Sequence, residues 1–377
     1  MSARPVILIL TGSFGHGHNT AAHNLRAAFG HLLGDEIEIQ VIDFFDHCYP
    51  EVNGLLRKAY AFVINSAPLI WRQLYRLGDM DTPGLLAHKA LVQQFQRFLE
   101  ERCPVAVVST FPPNSILFKQ VYPIASNRPF HLSTVITDSI SISAMWYKGQ
   151  SDLVFVTDEE SKRVVMHEGV PEAQIQAHGF PIPFAPYNNS LPLPPPNQSR
   201  PRILYLPTTK YAHVKITIDH LVNWMQANDS EVTIVLGQNE VRLRSALHRL
   251  RDDLPPHRWT ILGWVDHISQ LMTEHHLVIT KAGGASVSEA LGAQCPLLIN
   301  YVVPGQEEGN AQLVLQNECG YRIQNPEELP NTLSQVLISD QANTWHRYRA
   351  RLSEMDRVKA SLRIAEDIIK ACDLTTK

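Results

Sequence analysis

Residues 278–320 read VITKAGGASVSEALGAQCPLLINYVVPGQEEGNAQLVLQNECG, and the fold class follows from the order of their parts. The apolar run Leu277 to Ile279 is short and β-branched, the pattern of a strand buried on both faces. A turn follows at Lys281-Ala282-Gly283-Gly284. The spacing then predicts a helix with Ser286 as N-cap and Glu289 three residues on, a capping box, running to Cys295-Pro296 where proline stops it. Leu297 to Ile299 is a second strand, which empties into the polar loop Pro304 to Asn310 before another helix. Strand, glycine turn, helix, strand is a parallel βαβ unit. Gly283 and Gly284 let backbone N–H groups approach an anion closely, and the helix N-terminus beyond adds partial positive charge. Ligands of open parallel sheets bind outside the carboxyl ends of the strands, where both loops lie. Glu289 can cap its helix or accept hydrogen bonds from a ribose diol, and local pattern leaves both readings open. Gln306, Glu307 and Asn310 put three hydrogen-bonding groups within one turn, a set that suits either solvent or sugar hydroxyls.

Three pieces, Thr280-Lys281-Ala282-Gly283-Gly284, Ser288-Glu289-Ala290-Leu291 and Pro304-Gly305-Gln306-Glu307-Glu308-Gly309-Asn310, resemble in order and spacing the donor-site signature of glycosyltransferase family 28. Its diacylglycerol glycosyltransferases (monogalactosyldiacylglycerol synthases and processive glucosyltransferases) are the nearest in pattern. The resemblance implies an α/β chain of the GT-B fold, two Rossmann-like domains with a cleft between them. It also implies a donor site for a UDP-sugar. There Val265 would hold the uracil edge through its backbone and Glu289 the ribose. Gly283, Gly284 and Ser286, with Lys281 in the same set, would hold the diphosphate, and Gln306, Glu307 and Asn310 the sugar.

Composition agrees with two globular domains. A chain of 377 residues exceeds the usual single-core size. A net charge of −4 argues against a nucleic-acid binder, which would carry a basic face. The five cysteines are far apart and form no C-x-x-C, so neither a zinc site nor a disulfide scaffold is suggested, and a reducing cytosolic setting is expected. No stretch approaches the ~20 apolar residues of a membrane span, so any membrane contact is expected to be peripheral.

From the start, Val6 to Leu10 reads as a buried strand, followed by the turn Thr11 to Thr20 and a helix from Ala21. Gly12 and Gly17 have the spacing of a phosphate loop, but His18-Asn19 stands where Lys-Ser/Thr is required, which excludes a nucleotide hydrolase. Thr20 stands where a third glycine would complete a dinucleotide fingerprint. Gly15-His16-Gly17-His18 instead resembles the G-x-G-H loop of the lipid glycosyltransferases, which implies that Gly17 and His18 face the acceptor. A histidine beside an acceptor hydroxyl can serve as general base; His16 reads as a solvated loop residue.

Residues 44 to 100 read as mainly helical. Leu55 to Ile64 and Pro68 to Leu77 mix aromatics with Arg and Lys, as core helices do and as interfacial helices do on anionic lipid. The family likeness of this region assigns Trp71 and Tyr75 to the acceptor or membrane. Strands at 105–110 and 131–137 follow, the second ending in Asp138, a candidate base or orienting group. The family places a histidine four residues after this aspartate and then a tryptophan facing the acceptor. Here Ile142 occupies the histidine position and Trp146 sits one residue late.

Residues 184–201, rich in proline, read as a linker between an acceptor domain, 1–183, and a donor domain, 202–344. A terminal helical stretch, about 345–377, is expected by analogy to return to the first domain. Pro207-Thr208-Thr209-Lys210 stands where the family has a glycine-rich turn. The implied activity is inverting transfer of a hexose from UDP-glucose or UDP-galactose to a lipid, above all diacylglycerol. His18 and Asp138 would be the catalytic groups, at the cytoplasmic face of a membrane, with no metal and no cofactor beyond the donor substrate. Transfer to a polyprenyl-linked or soluble acceptor, a UDP-sugar epimerase and a UDP-sugar sensor are the competing readings.

Overall fold

A computed structural model describes residues 4–66, 86, 88–184, 193–305 and 307–374. Trp71, Tyr75 and Gln306, three of the expected contacts, lie outside the described residues. The chain divides into two compact units. One comprises Met1–Phe184, Pro304–Gly309 and Lys359–Lys377, and the other Ala185–Val303 and Asn310–Val358.

The first unit is built on a six-stranded sheet: Val6–Thr11 (β1), Glu38–Asp43 (β2), Ala106–Ser109 (β3), His131–Val135 (β4), Leu153–Phe155 (β5) and Ile175–Gln176 (β6). Their order is β2-β1-β3-β4-β5-β6, every pair parallel. The unbroken apolar run of β1 has a direct cause. Ile7 and Ile9 enter one core cluster while Leu8 and Leu10 enter another on the opposite face. Helix α1 (Gly17–Leu33) crosses from β1 to β2, and α2 (Pro50–Ser66) follows β2. Strand order reverses at β1, so the turn after it opens at a switch point.

The second unit repeats the plan with Arg202–Leu206 (β7), Glu231–Val235 (β8), Trp259–Leu262 (β9), Leu277–Lys281 (β10), Leu297–Tyr301 (β11) and Gly320–Arg322 (β12). The order is β12-β11-β10-β7-β8-β9, again all parallel. Helices α3 (Tyr211–Ala227), α4 (Gly284–Gly292), α5 (Glu308–Gln316) and α6 (Leu329–Leu337) complete the parts that matter for a site. The switch point lies between β7 and β10, which puts the glycine turn after β10 beside it.

The tail divides where the sequence gives no sign of it. Trp345 and Tyr348 of the helix Asn343–Glu354 belong to the core of the second unit. The last helix, Ala360–Ala371, belongs to the first, where Ile364, Ala365, Ile368 and Ile369 pack with Ala22, Leu25, Ala28 and Phe29 of α1. Asp367 adds a 2.7 Å contact to His178, and Ser361 donates to the Ile182 carbonyl. Ile368 is fully buried. Ile368→Ala is therefore expected to destabilise the first unit by roughly 2–4 kcal/mol, read as a lowered urea midpoint in that unit's transition; an unchanged midpoint would mean this helix does not complete the core.

Candidate functional site

Beyond β1 the chain must leave a sheet buried on both faces, and it does so through Gly12. A Cβ there would meet the Phe111 ring at 2.4 Å, so only glycine lets the turn pass. Phe14 then stacks on Phe111, centroids 5.6 Å apart, and meets Tyr60 of α2 edge-on at the same distance. These rings form one wall of a cavity of about 460 Å³. Leu56, Ala59 and Val63 of α2, Phe45 and Met145 complete most of the apolar lining. The two expected catalytic groups, His18 and Asp138, also line it.

His18 sits in the first turn of α1 and is 8 % exposed. Its Nδ1 is 3.1 Å from Thr137 Oγ1, and its ring packs edge-on against Phe111. Burial lowers its pKa to about 4, against a smaller opposing effect of the Thr110 backbone. The imidazole is thus neutral at pH 7, able to accept a proton. Gly17 opens α1 with open space where a side chain would stand, and His16 is exposed.

Asp138 follows β4 and behaves in the opposite sense. Burial raises its pKa to about 6; the Trp146 indole, donating to Oδ2 at 2.7 Å, lowers it, and the charge of Glu307 raises it. Trp146, expected to face the acceptor, is 1 % exposed among Ile136, Val154 and Val165. A large ring at that point is drawn into the core, so it reaches the site only by holding Asp138. Ile142, in the family's histidine position, packs against the same cluster. Glu307 is brought near by the loop Pro304–Gly309, which belongs to this unit. A Cβ on Gly309 would lie 1.7 Å from the Ser139 carbonyl oxygen, so the two backbones touch and no other residue fits.

In the second unit the helix after β10 starts earlier than its sequence suggests. Gly283 is the N-cap, in extended conformation, and α4 begins at Gly284 with no side-chain cap. The predicted capping box does not form: Ser286 lies inside the first turn, and Glu289 is in the helix body. The glycine pair itself starts the helix, leaving the first N–H groups open to an anion. Glu289 is 7 % exposed and its carboxyl makes no hydrogen bond among the described residues; burial alone raises its pKa to about 8. Asn310 Nδ2 donates to the Ala282 carbonyl at 3.0 Å, which ties α5 to the glycine turn. Lys281 is half-buried at the end of β10, and Val265 half-buried beyond β9, next to the exposed ring of Trp264.

Phe14, Phe111 and Met145, which shape the cavity, were beyond sequence reasoning. Each is an isolated apolar residue in a polar or proline-containing turn, and only the fold brings them together. The signal, where one exists, is the aromatic inside each of two strand-end loops.

Two all-parallel Rossmann-like units, each with its polar loops at the carboxyl edge, define the GT-B class of glycosyltransferases. Residues 18–182 match the family model described as monogalactosyldiacylglycerol (MGDG) synthase, and 214–367 the glycosyltransferase family 28 C-terminal domain. The chain therefore belongs to glycosyltransferase family 28, its first half of the MGDG synthase type. It is 22 % identical to the processive diacylglycerol beta-glucosyltransferase of Bacillus subtilis over 100 % of this chain and 98 % of that protein. To the chloroplastic monogalactosyldiacylglycerol synthase of Spinacia oleracea it is 24 % identical, over 87 % of this chain but only 65 % of the plant protein's length. Among solved structures, Acinetobacter baumannii MurG shares the fold with a TM-score of 0.62 at 13 % identity, covering 98 % of this chain and 100 % of that one.

The raised pKa of Glu289 has a consequence for stability. The native state keeps a proton on Glu289 between the unfolded value, 4.5, and about 8, where the unfolded chain has lost it. Its contribution is whole below about pH 4.5 and is lost as pH rises towards 8. Glu289→Gln removes that loss. Calorimetry should show a Tm several degrees above the parent's at pH 8 and almost equal at pH 5; equal differences at both pH values would place the carboxyl in water.

Proposed function

We propose that the protein transfers a hexose from a UDP-sugar to the hydroxyl of diacylglycerol, with inversion, at a membrane surface. The observation that carries this reading is the apolar cavity with His18 and Asp138 on its wall. A soluble sugar acceptor has no use for such a lining; an acyl chain does. The helix that supplies much of the wall also offers an apolar outer face. Val52, Leu55 and Phe62 of α2 are exposed, interleaved with Arg57 and Lys58. Such a helix suits the headgroup region of an anionic leaflet, and among the described residues no helix is long and apolar enough to cross a membrane. A peripheral position on the cytoplasmic face fits this reading.

In the reaction, the acceptor oxygen attacks the anomeric carbon as the bond to the diphosphate oxygen breaks. The electron pair leaves with UDP and the hydroxyl proton passes to His18. A neutral, buried imidazole is ready to take it, and ionised Asp138 on the same cavity wall favours the imidazolium that forms. The leaving diphosphate is met by the free N–H groups at the start of α4, with Gly283, Gly284, Ser286 and Lys281 around it. Glu289 accepts from the ribose hydroxyls, which supply the partners its buried carboxyl lacks. Val265 flanks the base, and Gln306, Glu307 and Asn310 belong to the sugar. Trp71 and Tyr75 remain assigned to the lipid side by family likeness.

The test is UDP release by the purified protein with UDP-glucose or UDP-galactose, with and without diacylglycerol in anionic vesicles. Lipid should stimulate release, and His18→Ala should lower the stimulated rate by about 10²- to 10⁴-fold while UDP still binds. Glu289→Gln should weaken UDP binding by about tenfold or more. UDP binding without lipid-stimulated release would remove diacylglycerol as the acceptor and favour a polyprenyl-linked or soluble one.

A further inference from the structure

A second cavity, of about 220 Å³, lies wholly within the second unit, and among the described residues none of the expected donor contacts lines it. It opens at the carboxyl ends of β11 and β12, beside the first two turns of α3. Ile323, Pro326 and Leu329 form its apolar side. His213, Asn300, Arg322 and Gln324 form its polar side, and no acidic residue lines it.

The hydrogen-bond inventory here does not close. Thr217 Oγ1 donates to the His213 carbonyl at 2.9 Å, so it can only accept from Asn300, whose Nδ2 approaches it at 3.4 Å. That fixes the amide orientation and leaves Asn300 Oδ1 without a partner, in a residue 8 % exposed. His213 Nε2 is likewise buried and unpartnered. Native proteins rarely leave such atoms unmatched, and two at one cavity point to a ligand. The charges say which kind. Arg322 makes no hydrogen bond or ion pair among the described residues. Lys210 stands 4.8 Å over the ring of Tyr301, which also lines the cavity. Burial, helped by the charge of Lys210, lowers the pKa of His213 and keeps it neutral, free to donate or accept one hydrogen bond.

We infer that this cavity is a binding site for a small hydroxylated phosphate monoester, separate from the UDP-sugar site. The phosphate oxygens meet the guanidinium of Arg322, whose planar fork matches them, and a ligand hydroxyl donates to Asn300 Oδ1. The volume equals that of roughly seven waters at ~30 Å³ each, enough for a three-carbon phosphate and far too little for a nucleotide sugar. The inference stands whether or not diacylglycerol is the acceptor, because it uses no residue of the first unit.

The probe is sn-glycerol 3-phosphate, titrated calorimetrically into the full chain with UDP present at saturation. Saturable one-to-one binding should persist under UDP, fall by about tenfold or more in Arg322→Gln, and be intermediate in Arg322→Lys, which keeps charge but loses the fork. Unchanged UDP affinity in both variants certifies that they fold. Absence of saturable heat, equal binding of glycerol alone, indifference to Arg322→Gln, or displacement by UDP would each overturn the site.

Discussion

The hydrogen bond from Trp146 to Asp138 is the constraint on which the chemistry of the first unit depends. At 2.7 Å it fixes a carboxylate inside a largely apolar wall, and the same indole lies 5.7 Å from the ring of His18. Without a donor there, burial would push Asp138 further towards its neutral form and remove the only negative charge among the described residues of the cavity lining. With it, Asp138 is ionised at neutral pH and His18 is not. In the proposed reaction, a neutral imidazole with a lone pair to offer and an anion on the same wall are both present before any acceptor arrives.

Burial acts in the same way on Glu289, the proposed ribose contact of the second unit. Glu289 lies in a helix body with no internal partner, a costly arrangement for a carboxyl group unless something outside the fold completes it. The helix that carries it starts on a glycine pair with bare N–H groups, so acceptor and donor atoms are offered side by side. Neither feature improves the stability of the unit that contains it. Both make sense as a site whose polar groups are satisfied by ligand.

Much of the fold was legible because parallel strands buried on both faces must be continuously apolar. Val6 to Leu10 and Leu277 to Ile279 have no other explanation, and the glycine turns after them mark the carboxyl edges. The strands β6 and β12, two and three residues long, are too short to carry a pattern, and they pass unnoticed in the sequence. The start of α4 was misread because Ser286 and Glu289 imitate a capping box, while the real N-cap is a glycine with no side chain to betray it. The cavity is a tertiary object. Its wall comes from three loops and a helix, and His18 could be named from its motif without any sign that its ring would be buried against Phe111. The division of the tail into one helix for each unit likewise depends on which core each apolar face meets.

The most direct test of the central claim is the pH dependence of kcat/KM for diacylglycerol at saturating sugar nucleotide. An acid limb is expected near pH 6, where Asp138 gains its proton. In Asp138→Asn the limb should move towards pH 4, where His18 protonates, with a lower plateau above it. A limb that stays near 6 in Asp138→Asn would contradict the assignment of the two groups and of the proton each one holds.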